Sequence, residues 1–456
     1  MANFPETLDQ GSVGYVYLLA FVAALGGLLF GYDTAVISGA IGYLSERFSL
    51  NEIWTGWAAA SALVGCVAGA AVAGTLSDRI GRKRVLLLAA VLFVLSAVGS
   101  AFPRNLAEFV AARILGGLGV GAASMLSPLY IAEVAPARIR GRLVSLNQLA
   151  IVFGMLVVYF VNAWIASQGD TAWNVDRGWR WMFGSETLPA AIFFVLLFAV
   201  PESPRWLTKQ GREDEAAAIL TRVSGPEGAR VQMDEIRTAI AEESGSLGQL
   251  LQPGIRVALL IAVVLAVLQQ ITGINCVLYY APEIFKSTGL AANQAINDTV
   301  IVGAVNMAFT LVAIWVVDRL GRKPLLLIAS AGMGLSLTAL GGAFYFESLE
   351  GPWVLLCTLA YVASFAVAMG PVVWVVLSEI FPTRIRGRAM SIATVSLWIA
   401  CFAVSQTFPW MLKTFRGATT FWIYASICAV AFLFVWLFVP ETKGKTLEEI
   451  ERSWIR

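Results

Sequence analysis

Stretches of about twenty residues with almost no charge recur from one end of this chain to the other, and few folds accommodate that. A run of this length crosses the hydrocarbon core of a bilayer as a helix, because a helix satisfies its backbone polar groups internally. Twelve such runs are read at 13–44, 53–77, 83–102, 105–132, 139–167, 181–200, 254–285, 295–317, 324–346, 352–378, 389–412 and 417–439. Only 14% of the 456 residues are charged, against about 25% in soluble domains, which excludes an ordinary soluble enzyme. The expected fold is all-α, an integral membrane protein of twelve transmembrane helices.

The chain also repeats itself. "DRIGRK" at 78–83 returns as "DRLGRK" at 318–323, "EVAPARIRGR" from Glu133 returns as "EIFPTRIRGR" from Glu379, and "PESPR" at 201 is echoed by "PETKG" at 440. Three motifs in one order, each about 240 residues on, mean two pseudo-symmetric halves of six helices. Parallel repeats of this kind place a binding site between the halves near the bilayer midplane. Residues 204–253 break the pattern: "GREDEAAAILTRV" and "VQMDEIRTAIAEE" read as amphipathic soluble helices around "SGPEG". The expected domains are therefore an N-terminal half over 1–203, a cytoplasmic helical linker over 204–253, a C-terminal half over 254–440 and a cytoplasmic tail over 441–456. The linker is read either as a plain covalent connection or as a brace between the halves.

Charge sets the orientation. The four short loops on the side shared by both termini hold thirteen Lys or Arg, and the opposite side holds seven. The positive-inside rule puts both termini in the cytoplasm. The start, "MANFPETLDQGSVG", lacks the basic residues of a cleavable leader, and none is expected. Five cysteines sit in apolar runs without metal-ligand spacing, and there is no histidine. Histidine-based metal sites, Ser-His or Cys-His catalysis and histidine proton relays are thus excluded. No cofactor, metal or nucleic acid is expected.

Within the apolar runs a few polar residues stand out. Gln269, Thr272, Asn275 or Cys276, and Tyr279 follow helical steps along one face, with Gln270 beside them. Ser145, Gln148 and Met155 share a face of the fifth run; Asn306 lies in the eighth, Trp374 in the tenth and Trp398 in the eleventh. Such amides serve either as glue between helices or, since they both donate and accept, as ligands for hydroxyl groups. The glycines of "GGLGVG" at 116–121 read as close helix packing, because no strand precedes them. "ITGIN" and "AMGPVVW" are expected to bend the helices that carry them.

Two charges inside runs stand out. Asp33 falls in "LLFGYDTAVISG", and Arg113 is the single Lys or Arg more than a few residues from a run's end. Counted from the outer helix ends, they lie at depths of roughly 18 and 12 Å. At similar depth an acid and a base should pair. Either the pair is a permanent bridge, or it is a proton switch in which Asp33, left in low dielectric when Arg113 moves away, takes up a proton.

In the loops, acids at helix ends stand one loop from guanidiniums in both halves: Asp78, Arg79, Arg82, Glu133, Arg142 and Glu202, then Asp318, Arg319, Arg322, Glu379, Arg388 and Glu441. The arginines hold the loops inside, but acids contribute little to orientation. Matched acids therefore point to Arg–carboxylate latches that close the cytoplasmic side and break when it opens.

"GRKR" at 81–84 with "GRK" at 321–323, "PESPR" at 201–205, "QQITGIN" at 269–275 and "PETKGKT" at 440–446 appear in one order. "GGLLFGYDTAVISG" at 26–39 and "RILGGLGVG" at 113–121 belong with them. In these motifs the sequence resembles the sugar porter branch of the major facilitator superfamily, and the proton-coupled bacterial symporters most of all. The resemblance implies a secondary transporter of a monosaccharide, D-xylose or D-glucose-like, that moves with a proton by alternating access. It implies sugar ligands at Gln148, Gln269, Gln270, Asn275, Asn306 and Trp374, a cytoplasmic gate in the loop charges, and a proton role for Asp33. It further implies a monomer surrounded by lipid in a bacterial inner membrane. Where some relatives carry glutamines, this chain has Met155 and Leu397, which leaves pentose or hexose open. A passive facilitator and a non-transporting sugar receptor are the alternatives.

Overall fold

Polar side chains fix where several helices of the first half begin. Its elements are α1 (Val13–Arg47), α2 (Glu52–Ile80), α3 (Arg82–Ala101), α4 (Leu106–Val134), α5 (Arg140–Ala166) and α6 (Thr171–Phe198). Ser12, Asn51 and Asn105 cap α1, α2 and α4 by accepting from the backbone N–H of Tyr15, Trp54 and Glu108. The computed structural model describes residues 11–136, 138–241, 252, 255–347, 351–381 and 383–443, apart from the side chains of Asp318, Thr383, Arg384 and Arg386. The described residues contain helices and no strand.

Two short linker helices follow, α7 (Pro204–Lys209) and α8 (Glu213–Ala241), the latter broken at Gly225. The second half is α9 (Ile255–Lys286), α10 (Ala292–Leu320), α11 (Arg322–Tyr345), α12 (Trp353–Glu379) and α13 (Thr383–Phe438). Eleven of these helices are long and apolar enough to cross a membrane. The apolar part of α13, 52 residues long, would reach about 78 Å if straight, more than twice a bilayer core. It breaks at Arg416 (φ 60°) into two crossing arms, which restores twelve crossings in two sets of six.

The expected breaks are present. Helix α9 stops at Ile271 and restarts at Ile274 beyond Gly273, and α12 widens into a π-turn over Phe365–Met369 just before Gly370 and Pro371. The sixth crossing starts ten residues earlier than the apolar run beginning at 181. Arg180, which made that stretch look like loop, donates to the carbonyls of Ala101 and Pro103 and stacks on Trp179, so the helix continues through it.

Glycine decides how closely α2 and α4 approach. A Cβ on Gly117 would lie 1.8 Å from the Ala62 carbonyl oxygen, and one on Gly121 2.4 Å from that of Cys66. The reverse holds for Gly65 against Ile114. "GGLGVG" is thus a packing surface. The halves meet along α2 with the first arm of α13, α5 with α10, and α1 with α9. The linker docks on the first half: Trp206 donates to the Asp78 carbonyl at 3.0 Å, and Arg222 lies 4.2 Å over the Tyr15 ring. The linker residues beyond 241, residue 252 apart, and the tail beyond 443 lie outside the described residues.

Candidate functional site

Asp33 on α1 and Arg113 on α4 meet in the middle of the first half. The guanidinium Nη1 donates to Asp33 Oδ1 at 2.6 Å and Nη2 to the Asp33 backbone carbonyl at 2.8 Å. Asp33 is 0% and Arg113 1% exposed. Burying both is tolerable only because they neutralise each other. Gly116, one turn from Arg113, keeps the space clear: a Cβ there would lie 2.3 Å from Ser96 Oγ and 3.1 Å from Asp33 Oδ1. Phe183 closes the other side, its ring centroid 5.3 Å from the guanidinium.

A third charge-bearing group belongs to this cluster, one that the reading of the sequence passed over. Glu186 on α6 is 0% exposed, faces the Asp33 carboxyl, and neither of its oxygens has a protein donor. Asp33 Oδ2 and Arg113 Nε are also unpaired. The cluster therefore holds two carboxyls for one guanidinium. The signal was present, since position 186 lies inside the run at 181–200. Its neighbours Asp176, Arg177 and Arg180 made it look like part of the charged approach to that run.

The amides of the second half form one chain. Gln269 Nε2 donates to the carbonyls of Met369 and Gly370, at 2.7 and 3.0 Å, where the π-turn of α12 ends. Gln270 Nε2 donates to Gln269 Oε1, and Asn275 Nδ2 to Gln270 Oε1 and the Cys401 thiol. Tyr279 reaches the same thiol. The break at Gly273 brings Asn275 back towards Gln270, which a straight helix would not do. Across the interface, Asn306 Nδ2 lies 3.9 Å from Met155 Sδ, and the Trp398 ring packs on Phe30 at 5.4 Å. Gln148 and Trp374 are half-buried and make no hydrogen bond among the described residues. The structure thus joins Gln269, Gln270 and Asn275 directly and Tyr279 through the Cys401 thiol, brings Asn306 and Trp398 against the first half, and leaves Gln148 and Trp374 unbonded among the described residues.

The loop charges pair within each half. Arg82 bridges Glu133 at 3.1 Å and Asp78 at 2.9 Å, and Glu202 accepts from the backbone N–H groups of Arg82 and Lys83. Arg322 bridges Glu379 at 2.9 Å, and Glu441 accepts from the N–H groups of Arg322 and Lys323. Burial works against the Glu441 carboxylate, but the N–H donors of Lys443, Arg322, Lys323 and Thr442 outweigh it and hold the group below its usual range. Gly81 and Gly321, at φ +103° and +93°, make the turns, and a Cβ on either would strike Glu202 or Glu441. Arg79, Arg142 and Arg388 are exposed, Arg319 stacks on Trp315 at 3.9 Å, and the Asp318 side chain lies outside the described residues. Among the described residues these pairs clamp helices of the same half.

The halves are tied together at the other end. Lys413 pairs with Glu52, Gln406 donates to the Ile53 carbonyl at 2.9 Å, and Trp57 stands edge-on to Phe402.

The family model described as "Sugar (and other) transporter" matches residues 19–454. The D-xylose-proton symporter of Escherichia coli is 47% identical over 477 residues, covering 98% of this chain and 97% of that protein. The arabinose-proton symporter of Bacillus subtilis is 46% identical over 455 residues, covering 100% and 98%. Among solved structures, the xylose transporter from Escherichia coli in a partially occluded inward-open conformation superposes with a TM-score of 0.87 at 46% identity, covering 95% of this chain and 100% of that one.

Proposed function

The chain belongs to the sugar transporter family, a multi-pass membrane transporter and not an enzyme, and from that premise we propose that it imports a monosaccharide, a pentose such as D-xylose or a D-glucose-like hexose, with a proton. The observation that carries the reading is the buried Asp33–Arg113–Glu186 cluster. Two carboxyls beside one guanidinium are neutral only with one proton bound, and a low-dielectric site favours neutrality. With Arg113 engaged the acids share one proton; if it withdraws as the halves rock, they take up a second, and when it returns that second proton leaves. The sugar site is Gln148, Gln269, Gln270, Asn275, Tyr279, Asn306, Trp374 and Trp398. Amides there bind hydroxyls, and the aromatic rings cover the C–H face.

Cross-ties at the end away from the Arg-rich loops support a state open towards those loops. In this reading both termini face the cytoplasm of a bacterial cell, and the transporter acts as a monomer. The domain division is 1–203, 204–253, 254–440 and 441–456. Uptake of D-xylose, L-arabinose and D-glucose into proteoliposomes, with and without an inward proton gradient, tests the reading. Concentrative uptake of one of them only with the gradient is expected. Equilibration without accumulation would make the protein a facilitator, with Asp33–Arg113 a fixed bridge.

A further inference from the structure

Between α1 and α5 of the first half and α9 and α10 of the second lies a narrow crevice, outside both the charge cluster and the amide chain. Ser38, Gly39, Tyr159, Asn162, Pro282 and Thr299 line it, and it is too tight to admit a water molecule. Ser38 and Asn162 are 1% and Thr299 2% exposed. Thr299 donates to the Ala295 carbonyl, and Asn162 Nδ2 donates to that of Val36. Ser38 Oγ and Asn162 Oδ1 have no partner.

The chain goes out of its way to create this. A Cβ on Gly39 would lie 2.6 Å from Asn162 Nδ2, so a bare backbone on α1 seats an amide whose oxygen is then left unpaired. In a permanently closed interface, unpaired buried polar atoms are costly and apolar residues of similar shape are better. These atoms make sense if the interface opens. The position fits: Pro282 adjoins Glu283, whose carboxylate abuts Gly42 near the outer end. Asn275 lies seven residues away in the other direction, about 10 Å along the helix. The crevice thus stands between the tied end and the amide chain. None of its lining side chains is charged.

Resting on the transport reading above, we propose that this crevice is a second, transient sugar station. When the halves part at the tied end, Ser38 Oγ and Asn162 Oδ1 exchange hydrogen bonds with hydroxyls of a neutral sugar on its way to the amide chain. Uncharged lining selects against sugar phosphates and acids.

The test uses the full-length protein in proteoliposomes with D-xylose as probe. Thr299→Cys, buried here, should be alkylated by a membrane-impermeant maleimide added on the side away from the Arg-rich loops, above the level of the parent protein. Ser38→Ala and Asn162→Leu should each lower kcat/KM for uptake about fivefold, while the D-xylose Kd from tryptophan fluorescence changes less than twofold. A station on the path changes rates of arrival and departure together, so Kd is spared. Unchanged kcat/KM in both variants, a Kd that moves as much as kcat/KM, or a Thr299→Cys that is never alkylated would each overturn the station. Failure of the unsubstituted protein to take up any sugar would instead overturn the transport reading, and the station with it.

Discussion

Asp33→Asn keeps size and hydrogen-bonding capacity but cannot titrate, and so separates the two roles that a 2.6 Å contact with Arg113 permits. If Asp33 carries the proton, the variant should still bind sugar and exchange it across the membrane, while accumulation driven by a pH gradient disappears. If Asp33 only neutralises Arg113, the variant loses the bridge and leaves the guanidinium to Glu186, with which it makes no hydrogen bond here, and stability, exchange and accumulation should fall together. Measuring counterflow and gradient-driven uptake on one preparation distinguishes them; a variant that still concentrates sugar would remove Asp33 from the coupling. Single residues of this kind are legible in the sequence, because a lone charge in an apolar run is conspicuous. Glu186 satisfies the same criterion and escapes it because charged neighbours surround it along the chain. What no sequence spacing could give is that three helices carry their charges to one point.

At the scale of helices, the amide chain depends on two irregularities. The π-turn of α12 ends at the Met369 and Gly370 carbonyls that Gln269 binds, and the break at Gly273 folds Asn275 back onto Gln270. Replacing Gln269, Gln270 or Asn275 by Ala should weaken sugar binding by about 1–3 kcal/mol, read as a 5- to 150-fold rise in Kd at 25 °C, while the protein stays folded. Unchanged Kd in all three would move the sugar site elsewhere. Both irregularities were legible as Gly and Pro in otherwise apolar runs, but which carbonyls Gln269 would meet was not. The α2–α4 contact offers a stability test. Gly117→Val forces branched carbon into the Ala62 carbonyl and should cost about 1–3 kcal/mol or more, lowering the melting temperature of detergent-solubilised protein. An unshifted melting temperature would mean the helices part without cost.

Across the whole molecule, the repeat made the two halves and their matched loop charges visible, yet it could not say which partners those charges choose. Arg82–Glu133 and Arg322–Glu379 clamp helices of the same half, and Arg388 stands exposed. A group exposed in one state and needed in the other has its effect only on the balance between them. Arg388→Gln should therefore leave thermal stability unchanged while making a cysteine engineered near Arg142 more reactive to maleimide, because the state closed at the Arg-rich end loses a contact. Glu133→Gln differs: it leaves the largely buried Arg82 guanidinium with Asp78, which is half exposed, so stability should fall as well as the balance shift. Cys357, the half-buried native thiol, is replaced in this background, and the protein without an engineered cysteine serves as control. Equal labelling in Arg388→Gln and its parent would assign Arg388 to membrane orientation alone. Loss of stability in Arg388→Gln would mean that it supports this state after all, contrary to its exposure here.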